Sequence, residues 1–147
     1  MPSKKFLATR IIVMVILAML AFQFEMGMAV NVAKQPTLPP FGFSLGRVSD
    51  ALNQIGVVAV IHASLGVGLV LISIVSLILA LRSGVRSVQV FGSLAFVATC
   101  LALITGLLYT LSGFQNDGLS EGMATNFLLT FTFNFLEMYF LKPAAKT

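Results

Sequence analysis

The chain has 147 residues, 58% of them hydrophobic and 10% charged, with a mean hydropathy of +1.00. Soluble domains carry about 25% charged residues, so this composition excludes a water-covered globule and requires lipid to cover much of the surface. Nine Lys and Arg against five Asp and Glu give a net charge of +4, but the basic residues flank apolar runs instead of clustering, which argues for a lipid bilayer as partner and against nucleic acid.

The first apolar run, about 11–30, follows Lys4, Lys5 and Arg10. A helix of about 20 apolar residues crosses the ~30 Å hydrocarbon layer, and this run suffices. A cleaved signal has an apolar core of roughly 7–15 residues and a small-residue cleavage site. Here the core is longer and ends in Gln23-Phe24-Glu25-Met26, so a retained anchor is expected.

An outer loop, 31–54, contains Pro36, Pro39 and Pro40, which forbid a continuous helix. Residues 42–46 allow a turn, and Phe41, Phe43 and Leu45 are suited to dip into the interface. Ser49 and Asp50 are predicted N-caps of a helix leading through Ala51 and Leu52 into the second span. That span covers about 55–81 and the third about 88–111. The inner link 82–87, with Arg82 and Arg86, makes them a tight hairpin. A second outer loop, 112–125, holds the turn signal Asn116-Asp117-Gly118. The fourth run, 126–141, is the shortest, and Phe127, Phe131, Phe133, Phe135, Tyr139 and Phe140 compensate for its length.

Hydrocarbon offers no partner for a free backbone N–H or C=O, so spans must be helices or closed barrels. The runs lack the two-residue alternation of a barrel. The expected fold is therefore all-α, a single-domain integral membrane four-helix bundle. Lys4, Lys5, Arg10, Arg82, Arg86, Lys142 and Lys146 fall on one side, Lys34 and Arg47 on the other. The positive-inside rule makes the first side cytoplasmic, which gives a multi-pass protein of the cell membrane with both termini inside. Cys100, the single cysteine, has no intrachain partner.

Lipid tails compete for apolar contact, so close packing of small residues holds such bundles together. Ala59, Ala63, Ser64 and Gly68 in span two and Ala98, Ala102 and Gly106 in span three are expected to meet, within the bundle or between protomers. Three ionisable residues fall inside spans: Glu25, His62 and Glu137. A central charge costs roughly 2.5–3.5 kcal/mol, so such groups face the bundle interior or a wet cavity. With about 1.5 Å of rise per residue, Glu25 and His62 share a depth near the outer boundary. They are expected to pair, with Gln23 and Asn53 extending the polar patch. Glu137 lies near the inner boundary, with Asn134 on the same face, and is expected to be solvated or to pair with Arg82 or Lys142.

The polar level has three readings: a structural clasp, a haem or quinone site, or a proton or ion path. His62 is the only histidine, and His–Met haem ligation, with Met26 or Met28 as second ligand, is chemically reasonable. Gln23 with Gly27, and His62-Ala63-Ser64-Leu65-Gly66 early in span two, resemble a family of small four-helix membrane proteins that look like reduced cytochrome-b-type bundles. The likeness covers two of the four helices. It implies a helix bundle with haem b as the cofactor to look for, although span four carries no histidine for a second ligand.

No phosphate loop, metal cluster or nucleophile–base spacing is present. The leading expectation is a non-catalytic accessory subunit packed against other membrane subunits or a second copy of itself. The alternative is a redox protein binding haem or quinone at His62. The third is a small proton or ion transporter whose flux depends on Glu25.

Overall fold

A computed structural model describes residues 4–33 and 45–141. Five helices make up the described residues: α1 (Lys4–Ala33), α2 (Leu45–Ile55), α3 (Val57–Leu81), α4 (Arg86–Leu111) and α5 (Asp117–Phe140). No strand occurs among them. The all-helical expectation holds. The apolar stretches of α1 (Phe6–Val32), α3 and α4 are long and apolar enough to cross a membrane. α5, with Asp117, Glu121 and Glu137, falls outside that class. The prolines of the outer loop, with Phe41 and Phe43, lie outside the described residues, as do Lys142 and Lys146.

Two local expectations change. The outer loop contains a helix of its own: α2 already starts at Leu45 and places Ser49 and Asp50 inside it, not at its cap. Gly56 then breaks the path into α3 with a φ of 106°, a left-handed value that glycine tolerates and L side chains rarely adopt. The second outer loop shrinks to 112–116. Its turn sits at Gly113 and Phe114, both with positive φ, and Asn116 is instead the N-cap of α5, its side chain accepting from the Leu119 N–H at 3.2 Å. Asp117 in the first turn also suits the positive end of the helix dipole.

α1 packs on α3, α3 on α4, α4 on α5 and α5 back on α1, closing a ring of four helices, while α2 rests on α3 and α4. The interior is layered. At one end Val30, Ala51, Ala59, Tyr109 and Phe114 form an apolar layer, with Leu119 against it. In the middle lie Ile16, Leu20 and Leu69, with Phe127 against them. At the other end lie Ala80, Val88 and Leu141, with Phe6 and Val85. Polar side chains occupy the two levels between these layers.

Within the single chain, the two glycines of the expected set face helices other than each other's. A Cβ on Gly68 would meet Met19 of α1, at 3.7 Å, and one on Gly106 would meet Met123 of α5, at 3.1 Å. Ser64 is exposed and Ala63 and Ala102 are half-buried, leaving Ala59 and Ala98 as the buried members of the set. α3 and α4 approach closely at Gly92, where an added Cβ would sit 2.6 Å from the Ala80 Cβ. The reason is angular. On each helix the residues facing the hairpin partner are offset from those facing the other neighbour, and spacing alone does not say which stripe meets which helix.

Candidate functional site

The outer polar level joins α1 to α3. Gln23 Nε2 donates to the His62 carbonyl oxygen at 3.0 Å and lies 3.4 Å from His62 Nε2. A carbonyl accepts and never donates, so it fixes the amide nitrogen as the group facing α3. His62 Nε2 then accepts, and in the neutral ring the proton sits on Nδ1. Gly27 favours the close approach, since a Cβ there would lie 3.1 Å from His62 Cε1; one on Gly66 would be in ordinary contact with Gln23 Nε2, at 3.5 Å.

Glu25 does not share this site. It is exposed, two residues and about 200° around the helix from Gln23, and the partner of His62 is Gln23. Asn53 is also exposed and donates within α2 to Ser49 Oγ, at 3.5 Å. Met26 is half-buried and Met28 exposed. For haem, His62 would need a ring nitrogen with an open lone pair; here Nε2 faces Gln23, while Nδ1 and Gln23 Oε1 are buried with no partner among the described residues. The geometry is that of a clasp. Gln23→Leu is expected to lower the thermal midpoint of the detergent-solubilised protein, through a loss of about 1–2 kcal/mol. Glu25→Gln should leave the midpoint unchanged.

The inner polar level is deeper than expected. Thr130, Asn134 and Glu137 of α5 and its C-cap Leu141 form one buried stripe, at spacings of four, three and four, and Glu137 is 0% exposed. Its carboxyl lies against Gly92 of α4: a Cβ there would be 3.4 Å from both Cδ and Oε1. The apolar layer of Ala80, Val88 and Leu141 lies toward the helix ends. Neither carboxyl oxygen has a hydrogen-bond partner among the described residues. The expected pairing with Arg82 is absent: Arg82 is exposed. Arg82 follows the C-terminus of α3, outside the layer that covers the carboxyl.

Other polar groups line the same interior. Ser76, one turn before Ala80 on α3, and Ser73 are buried, and neither hydroxyl has a partner among the described residues. Thr9 of α1 is buried at a similar level. Asn134 Nδ2 donates to the Thr130 carbonyl and Thr130 Oγ1 to that of Asn126, both at 2.8 Å. On α5 the short polar side chains Thr130 and Asn134 are thus satisfied by their own helix, while Glu137 and the Ser73 and Ser76 hydroxyls have no partner among the described residues. Sequence reasoning found Glu137 and Asn134 but missed Gly92, Ser73 and Ser76. The signal was there: Ser73, Ser76 and Ala80 share a helical stripe, as do Val88, Gly92 and Ala95.

No group of three or more His, Cys, Asp or Glu side chains gathers among the described residues to hold a metal. No protein-family model, curated protein or solved structure matches this chain.

Proposed function

We propose that this chain is a four-span protein of the cell membrane, with both termini in the cytoplasm, that carries protons through its helix bundle without enzymatic chemistry. The observation behind this reading is Glu137, a wholly buried carboxyl with neither oxygen hydrogen-bonded among the described residues. A lone buried carboxylate costs several kcal/mol, so this group needs a counter-charge. A proton supplies it without further ligands. Divalent cations such as Ca2+ and Mg2+ take about six or more oxygens, and no group of three or more His, Cys, Asp or Glu gathers around this carboxyl among the described residues.

α5 supports the fourth crossing. At about 1.5 Å per residue its 24 residues reach ~36 Å, and it packs along α4 more extensively than any other pair of helices. Its polar stripe faces the bundle, while Leu128, Phe131, Phe135 and Tyr139 are exposed. Intramembrane ionisable residues mark proton relays and ion paths, and here polar levels stand on both sides of the middle apolar layer. Ile16, Leu20, Leu69 and Phe127 separate Glu137 from His62. Transport on this reading needs that layer to rearrange, as in a carrier, in place of an open pore. An accessory-subunit role draws on the small loops and the lack of a catalytic cluster, and leaves the buried carboxyl unexplained.

The test is proton flux into liposomes under an imposed potassium diffusion potential, read by an internal pH dye. The wild-type chain is expected to acidify vesicles faster than protein-free controls. Glu137→Gln should fall to the control rate, and Glu25→Gln should keep the wild-type rate. A wild-type rate equal to that of empty vesicles, or full flux in Glu137→Gln, overturns the reading.

A further inference from the structure

Among the described residues, the inner end of the bundle carries basic side chains without acidic ones to offset them. Arg10, Arg82 and Arg86 stand there, with Lys4 and Lys5 beside them in sequence. Of the five acidic residues, Glu25, Asp50, Asp117 and Glu121 lie toward the opposite end, and Glu137 is sealed in the interior. Arg10 therefore has no acidic side chain within its reach among the described residues. It is half-buried and lines a groove between α1 and α5 whose other walls are Phe135, Met138 and Tyr139.

We propose that this groove binds one anionic phospholipid of the inner leaflet, with its phosphate on the Arg10 guanidinium and an acyl chain along Phe135 and Met138. A guanidinium presents its N–H groups in a planar fork that matches two phosphate oxygens. Its aliphatic stem lies along apolar surface while the head stays at the boundary. Phe135 and Tyr139 are each about half exposed, at 52%, and Phe135 lies one turn further into the bilayer than Tyr139. That order suits a lipid: Tyr139 at headgroup level, where interfacial tyrosines reside, and Phe135 at the level of the first methylenes. An almost wholly apolar wall beneath one cation is a poor seat for a soluble anion, which would leave its own hydration unreplaced. Anionic headgroups on the cytoplasmic face attract basic residues of just this placement.

The proposal depends on the chain lying in a membrane but not on proton transport, and its test reads lipid retention alone. Delipidated wild-type protein, Arg10→Gln and Arg86→Gln are each incubated with equal phosphatidylglycerol and phosphatidylcholine, and bound lipid is measured by native mass spectrometry. Wild type is expected to retain phosphatidylglycerol in preference. Arg10→Gln should lose about fivefold of that retention, the scale of one basic residue at an anionic surface. Arg86→Gln should retain it, and excess glycerol phosphate should not displace it. Equal retention of both lipids by wild type overturns the proposal. So does an equal loss in Arg86→Gln, which indicates diffuse charge attraction, or displacement by glycerol phosphate, which indicates a soluble-anion site.

Discussion

Gly92→Val is expected to lower the thermal midpoint of the detergent-solubilised protein by roughly 6–10 °C, from a loss of about 2–3 kcal/mol. Even the first added carbon has nowhere to go. A Cβ on Gly92 would sit 2.6 Å from the Ala80 Cβ, whereas carbon atoms in contact rest at about 3.5–4.0 Å. Both atoms are fixed directly to backbone, so no rotamer change relieves the clash, and α3 and α4 must move apart. Separation also opens the layer of Ala80, Val88 and Leu141 that covers Glu137. The substitution should therefore weaken the bundle and loosen its seal together. Gly46→Ala is the control, because nothing lies within 4 Å of its added carbon and alanine is the better helix former. A midpoint in Gly92→Val equal to that of wild type would refute the packing described.

The second large effect is chemical. A lipid-soluble carbodiimide is expected to label wild-type protein in membranes at Glu137 and to lose the adduct on that α5 fragment in Glu137→Gln, read by mass spectrometry of the intact chain and its fragments. The reagent adds the carboxyl O–H across its C=N bond, and the O-acylisourea rearranges to a stable N-acylurea. Water diverts that intermediate elsewhere, so a dry carboxyl keeps the label. Asp50, Asp117 and Glu121 are exposed outside the three apolar stretches of α1, α3 and α4 and should react instead with a water-soluble carbodiimide. Labelling of Glu137 by the water-soluble reagent at the same rate would show that the carboxyl is wet, and the case for a sealed proton site would fail.

Much of the bundle is legible in the sequence because hydrocarbon imposes so strong a constraint. Runs of apolar residues between basic ends give α1, α3 and α4 to within a few residues. α2 is harder to see. Its apolar residues Leu52 and Ile55 join a layer contributed by Val30, Tyr109 and Phe114, so its reason for being helical lies in other parts of the chain. The shared depth of Glu25 and His62 is correct in rise but silent on angle. Gln23, with about half a turn's difference, takes the position beside the ring. Glu137 shows the reverse error. Four residues from the end of a span reads as near water, yet Leu141, Val88 and Ala80 close over it, and no one-dimensional count contains that cover.

The polar stripe of α5 also bears on how the chain is made. Thr130, Asn134 and Glu137 lie on the face covered by neighbouring helices, and α5 follows α4 in synthesis. As a solitary segment, with three acidic residues, it would present that stripe to acyl chains. Beside an α4 already in place, Gly92 offers the recess that the carboxyl fills. If α5 makes the proposed fourth crossing, its insertion is an act of folding as much as of partitioning, and a substitution at Gly92 would be felt first by the nascent chain.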